Sequence, residues 1–356
     1  RDADCNYAMI IGPHCRAPYQ SSTFFNISGM SYGAISIPAI KALSLGAHRA
    51  GCWLNTGEGG LSPYHIESGA DIVFQIGTAK YGVRDQQGLF SIERLKEIAE
   101  NPYVKMFEIK LSQGAKPGKG GILPGTKVTA EIAAIRRIVV GQDSISPNRH
   151  EELQSNEDLL RMIDQVRSST GKPVGIKFVL GSSEWLTDLF QLIGQQGIEC
   201  APDFITLDSA DGGTGAAPMS LIDDVGLTLR DSLPFVVKAL NEYGLKNRIR
   251  LIASGKLITP SKIAWALATG ADFVSSARGF MFALGCIQAL QCNRNTCPTG
   301  ITTHNKSLQR GLVPEDKAER VYYYHQNIIK EVEMIAHACG VPQARLLNRT
   351  HYKVVL

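Results

Sequence analysis

What most narrows the fold of this chain is an order of elements. Eight short β-rich runs recur, separated by segments with helical periodicity. The runs are Phe24–Ser28, Cys52–Asn55, Ile72–Ile76, Met106–Leu111, Val174–Val179, Phe204–Leu207, Ile249–Ala253 and Phe273–Ser276. Most end in a turn of glycine or small polar residues, such as Gly29-Met30-Ser31 or Ser112-Gln113-Gly114. Helices are expected over Ser36–Ala50, Ser91–Glu100, Thr129–Ile138, Asn156–Ser169, Ser183–Gln195, Leu229–Tyr243 and Pro260–Thr269. A strand followed by a helix, about eight times, predicts an α/β chain folded as a parallel (β/α)8 TIM barrel. A doubly wound sheet is the competing arrangement, since strand number is a weak point of any reading from sequence. No internal repeat or low-complexity linker divides the 356 residues, and barrels of this length form one unit. The expectation is a single domain over 1–356, with an N-terminal extension at 1–23 and a C-terminal helical extension at 304–356. Within the latter, Val321, Ile328, Ile329, Val332, Ile335 and Ala336 mark a long helix over 316–339 that packs on the outer shell.

In such a barrel, chemistry belongs at the C-terminal ends of the strands. Three late strands end in small, glycine-bearing loops: Asp211-Gly212-Gly213-Thr214-Gly215, Ser254-Gly255 and Ser275-Ser276-Ala277-Arg278-Gly279. Glycine lets main-chain N–H groups approach phosphate oxygens, and a helix over Gly279–Leu290 would point its positive end toward the same place. Together the three loops read as a phosphate cradle, to which Arg278 adds a charge-assisted contact. One phosphate is implied, because no Gly-x-Gly-x-x-Gly follows the first strand to take a pyrophosphate. A second polar group comprises Glu58, Lys110, Gln113, Lys116, Arg136 and Lys177. Its cations suit a carboxylate or the electron-rich edge of a flavin. Lys119 and Lys127 are expected to be solvated.

Cys286, Cys292 and Cys297 fall within twelve positions, and Pro298 follows the last. Soft thiolates suit iron–sulfur clusters, zinc or copper, and three close ligands without a fourth fit a three-iron cluster. Zinc held with one remote ligand, a disulfide with a spare thiol, or buried free thiols answer to the same spacing.

A net charge of +4 is too mild to imply nucleic acid, although it does not oppose an acidic electron carrier. Eight cysteines in this length are no disulfide scaffold, and their clustering favours a reducing, cytoplasmic compartment. No run of 18 residues is free of polar interruption, so no transmembrane helix is expected. The opening Arg1-Asp2-Ala3-Asp4 has neither Met nor a signal-peptide core, so a longer product is expected, with any membrane anchor or further domain upstream.

The motifs Ser28-Gly29-Met30-Ser31-Tyr32-Gly33, Asn55-Thr56-Gly57-Glu58-Gly59-Gly60, Leu111-Ser112-Gln113-Gly114-Ala115-Lys116-Pro117-Gly118, Asp211-Gly212-Gly213-Thr214-Gly215-Ala216 and Ala283-Leu284-Gly285-Cys286 carry a resemblance. From about Ser28 to Thr303 the chain resembles the synthase domain of the glutamate synthases, and especially the shorter glutamate-synthase-like FMN-binding proteins. The resemblance implies FMN at the barrel mouth and a [3Fe–4S] cluster held by Cys286, Cys292 and Cys297. It implies catalytic roles for Glu58, Lys116 and Arg136, the arginine meeting a substrate carboxylate. Cofactor contacts are expected from Met30, Ser31, Asn55, Lys110, Gln113, Lys177, Asp211, Gly212, Gly213, Gly215, Ser254, Gly255, Ala277 and Arg278. The implied reaction is reductive amination of a 2-oxo acid, 2-oxoglutarate to glutamate, or its reverse, with electrons from ferredoxin or a reductase subunit and ammonia from a glutaminase partner.

The sequence departs from that pattern at the substrate. It holds no glutaminase domain, Ile122 stands where the family has Gln, and Ala210 replaces a His before Asp211. Asn148-Arg149-His150 follows Ile145-Ser146-Pro147 in place of a Pro- and His-rich run. Two other functions therefore stand beside the enzyme: an electron-transfer subunit with no small-molecule substrate, and a barrel enzyme without flavin.

Overall fold

The computed structural model describes residues 7–353 other than 115, 214, 219 and 223. Eight parallel strands close into a barrel, in chain order β1 (Phe25–Ile27), β2 (Leu54–Asn55), β3 (Ile72–Ile76), β4 (Val104–Lys110), β5 (Val174–Val179), β6 (Phe204–Asp208), β7 (Arg250–Ser254) and β8 (Phe273–Ser276). Closure is made where Val274 of β8 pairs with Phe25 of β1. Every strand expected from the sequence is a barrel stave, which settles the choice against an open doubly wound sheet.

Helices follow the strands: α1 (Ile37–Ala50), α2 (Ile92–Glu100), α3 (Ala130–Arg136), α4 (Asn156–Thr170), α5 (Ser183–Gln196), α6 (Leu229–Glu242), α7 (Pro260–Thr269) and α8 (Arg278–Leu284). Their starts are set by side chains: Ser36, Ser91, Thr129 and Ser155 each accept a hydrogen bond from a backbone N–H two or three residues into the helix. Two helices are shorter than expected. α3 ends at Arg136, because Arg137 is left-handed, and α8 ends at Leu284, because Gly285 is left-handed at φ 103°. The chain from Cys286 to Leu290 is therefore loop, and α8 has only seven residues.

Alternation along the strands sorts the side chains by face. Outward residues such as Ile27, Leu54, Phe74, Phe107, Ile176, Ile205, Leu251 and Val274 form the core beneath the helices. Inward residues near the strand starts form a second apolar cluster of Trp53, Val73, Met106, Phe204, Ile252 and Phe273. An antiparallel hairpin, Met9–Ile11 with Tyr19–Ser21, adds Ile11 and Tyr19 to that cluster and caps this end of the barrel. Above it lies a polar layer: Glu108 accepts from Asn55 Nδ2 (2.8 Å), Gln75 Nε2 (2.7 Å) and Thr206 Oγ1 (2.6 Å).

The long C-terminal helix α9 (Pro314–Ala338) lies on the outer shell as expected, burying Val321, Ile328, Val332 and Ala336. Tyr324 and His325 reach the wall beneath α8: Phe25 stacks on Phe280 at 5.2 Å and on His325 at 5.8 Å, and His325 Nε2 pairs with the Phe25 carbonyl at 2.9 Å. Between β4 and β5 an inserted hairpin, Ile122–Leu123 with Ser144–Ile145, stands over the barrel mouth.

Candidate active site

A cleft of about 290 Å³ opens at the C-terminal ends of the strands. One wall carries acid–base groups. Glu58 sits in a short 3-10 turn, Gly57–Gly59, directly after β2, and Asn55 Oδ1 holds that turn by accepting from the Gly57 N–H at 2.9 Å. Lys110, the last residue of β4, pairs with Glu58 at 2.5 Å and donates to Gln113 Oε1 at 3.2 Å. The inserted hairpin covers this pair from above: a side chain at Gly121 would place its Cβ 2.0 Å from Glu58 Oε1, so only glycine lets the cover approach so closely. Buried Lys116 and Arg136 line the same wall. Arg136, at the end of α3, lies 5.0 Å over the Tyr81 ring and donates to the Tyr32 carbonyl at 3.0 Å, while its buried Nε has no partner among the described residues.

Burial acts to raise the Glu58 carboxyl, but Lys110, with Lys116 and Arg136 behind it, outweighs burial and holds Glu58 below its ordinary value of 4.5. Burial and the neighbouring Lys110 and Lys119 lower Lys116, with Glu58 opposing. Because Glu58 is lowered in the folded chain, its contribution to stability is full above the unfolded carboxylate value and is lost as the pH falls through the lowered folded one. Thermal unfolding followed from neutral to acid pH should therefore show a shallower acid loss in Glu58→Gln than in the parent. Equal acid sensitivity of the two proteins would contradict the ion pair.

The opposite wall is made of small loops. Gly212, Gly213, Gly215, Ser254, Gly255, Ala277 and Arg278 all line the cleft. Gly255, at φ 122°, has no room for a Cβ, which would lie 2.3 Å from that of Ser209. Arg278 bridges the loops by donating to the Gly213 carbonyl at 2.9 Å and to Gln288 Oε1 at 3.2 Å. Thr214, expected in this cradle, and Ala115, in the Gln113–Lys116 loop, lie outside the described residues. At the floor, Lys177 of β5 pairs with Asp208 of β6 at 3.4 Å. Burial lowers Lys177, yet Asp208 and Glu108 together raise it on balance. Met30 and Ser31 complete the cleft beside Glu58.

Two expected contacts are turned elsewhere. Asn55 is 5% exposed and commits its amide to Glu108 below the floor. Asp211 accepts from Ser209 Oγ and pairs with Lys256 at 3.7 Å, behind the cradle. Sequence reasoning misplaced Lys127. It is 1% exposed, not solvated, because its ammonium is enclosed by main-chain carbonyls from distant segments. No local pattern announces that burial. Lys119 is exposed, as expected.

Cys286, Cys292 and Cys297 form a third wall. Burial raises the Cys292 thiol. For Cys297 burial acts upward too, but hydrogen bonds from Thr299 and Thr302 hold it down to about 7. The three thiols suit a soft metal in chemistry and in sharing one face of the cleft. Among the described residues, however, no three His, Cys, Asp or Glu side chains are drawn together around a single metal position. No helix among the described residues is long and apolar enough to cross a membrane.

Residues 3–342 match the family described as the conserved region in glutamate synthase. The chain is 45% identical over 345 residues to the glutamate synthase large subunit-like protein YerD of Bacillus subtilis (strain 168), covering 96% of this chain and 65% of that protein. It is 35% identical over 322 residues to the archaeal glutamate synthase [NADPH] of Methanocaldococcus jannaschii, covering 88% of this chain and 58% of that protein. The chain thus spans less than two thirds of the length of these relatives. Among solved structures it is similar to a flavocytochrome b2 mutant with benzoylformate, at a TM-score of 0.59 and 14% identity, covering 97% of this chain and 75% of the other. That likeness is one of fold.

Proposed function

Because this chain belongs to the glutamate synthase family, we propose that it is an FMN- and iron–sulfur-dependent oxidoreductase, performing reductive amination of a 2-oxo acid or the reverse. The observation that carries the reading is convergence. The Glu58–Lys110 pair with Lys116 and Arg136, the small loops of the late strands, and the three cysteines all face one cleft.

The residues present fit FMN. Gly212, Gly213, Gly255 and Ala277 leave main chain open to a phosphate, Arg278 supplies a cation at their rim, and Met30, Ser31, Lys110, Gln113 and Lys177 would border the ring system. The donor set of Cys286, Cys292 and Cys297 fits a [3Fe–4S] cluster by ligand type. Bound FMN would supply two-electron hydride exchange with the substrate carbon, and the cluster a path for single electrons from ferredoxin or a reductase subunit. The protein's own part is positioning and charge. Arg136 and Lys116 would hold the substrate carboxylate; the buried, unpartnered Nε of Arg136 marks a guanidinium whose donors are not all used. Glu58, kept ionised by Lys110, suits accepting a hydrogen bond from the nitrogen of an iminium better than giving up a proton. In the aminating direction ammonia and a proton would convert the 2-oxo group to an iminium with loss of water, and a hydride, which bound reduced flavin would supply, would add to the iminium carbon to give the amine. Ammonia would come from free solution or from a glutaminase partner. A pure electron relay needs no such charged pocket.

Anaerobic purification followed by flavin extraction, metal analysis and electron paramagnetic resonance tests the assignment. FMN with the signal of an oxidised three-iron centre is the expected result, and reduced protein should then be reoxidised by a 2-oxo acid with ammonia. Colourless protein, or zinc in place of iron, would overturn the cofactor assignment.

A further inference from the structure

Lys127 is the last residue of a short 3-10 turn, Gly125–Lys127, between the inserted hairpin and α3. Its ammonium donates to the carbonyls of Ala34 (2.7 Å), Thr302 (3.0 Å) and Cys292 (3.2 Å). An ammonium has three donors, so its capacity is filled entirely by main chain. Ala34 lies in the loop that carries Met30 and Ser31, Cys292 stands among the thiols, and Thr302 is in the segment leaving them. One side chain thus ties the substrate wall, the loop after β1 and the cysteine loop together.

Two further observations give this tie a purpose. The cysteine loop holds Gln288, Leu290 and Asn295 at φ 55°, 53° and 60°, a left-handed backbone that residues with side chains seldom adopt. Such backbone persists only where its surroundings over-determine it. Moreover, no carboxylate is among the hydrogen-bond partners of Lys127: its three donors go to main-chain carbonyls alone, so what the side chain holds is backbone.

We propose that Lys127 is a positioning residue for the cysteine loop, pinning its main chain at Cys292 and Thr302 to the loop after β1.

The test uses Lys127→Met in the protein as purified anaerobically, with Lys119→Met, an exposed lysine of the same region, as control. Cleavage within 286–302 by a protease under native conditions should be faster in Lys127→Met by roughly tenfold or more, tenfold being the factor for losing even one of its three charge-assisted hydrogen bonds. Flavin content should stay as in the parent. Faster cleavage confined to 286–302, with the rest of the chain as resistant as in the parent, is the signature of a local tether; parental cleavage rates there, or a general loss of resistance, overturn it. Should Lys127→Met fail to accumulate as folded protein, Lys127→Gln, which keeps a polar head, is read in its place.

Discussion

Arg136→Ala and Lys116→Ala are each expected to keep their flavin while turnover falls by roughly a hundredfold or more, the loss that misplacing a substrate from its near-attack position can cause. The two cations lie on the Glu58 wall of the cleft, apart from the small loops across it that would take the phosphate. Removing either one should therefore spare cofactor retention and damage the geometry of the reacting carbon. Arg136 also braces the Tyr32 carbonyl and lies over Tyr81, so part of any effect could come through a shifted loop. Arg136→Lys separates the two causes, because lysine keeps the charge but not the planar fork that holds a carboxylate by two parallel hydrogen bonds. If it recovers thermal stability but not turnover, the guanidinium acts on substrate. Turnover at the parental rate in both alanine variants, with every 2-oxo acid offered, would falsify the substrate role.

Ile122→Gln is expected to raise kcat/KM for 2-oxoglutarate by about tenfold to a hundredfold, the range of one hydrogen bond to a charged group. Ile122 follows Gly121, which lies against Glu58, and its side chain is 52% exposed at the rim of the cleft. A side chain so placed has room for an amide, and its replacement should cost little stability, as surface substitutions usually do. The parent should correspondingly favour 2-oxo acids whose far end is apolar. Steady-state kinetics across a series of 2-oxo acids decides the matter: an unchanged or lower preference for 2-oxoglutarate in the variant would remove Ile122 from substrate selection.

The barrel was legible because each stave is buried on its outer face and carries a run of β-branched and aromatic residues, as in Ile72–Ile76 and Val174–Val179. The two hairpins were not, since strands of two or three residues such as Ile122–Leu123 and Tyr19–Ser21 show too few positions to reveal a period. The glycine-bearing turns disclosed where ligands could approach, and the cleft does gather most of the residues named from them. Direction was beyond reach: Asn55 and Asp211 sit in those same turns, yet their side chains are claimed by Glu108 and by Ser209 with Lys256. Lys127 illustrates the deeper limit. Its burial depends on carbonyls 93, 165 and 175 residues away, and a local window contains none of them.

The carboxylate of Glu108 bears on how the chain finds its own pairing. Its donors Asn55, Gln75 and Thr206, with Lys177 interacting with it by charge, come from β2, β3, β6 and β5, so that with β4 five successive staves meet at one carboxylate. A strand that slips by one residue turns its inward side chains outward. Slippage of any of these staves would thus withdraw a donor from a buried charge as well as expose apolar surface, and a buried anion short of donors is a costly state. Parallel strands joined by long crossovers must choose among many pairings that look alike to a purely hydrophobic interior. Glu108 makes them unlike: misaligned barrels lose a specific bond, and the correct one is selected by chemistry rather than by greasiness alone.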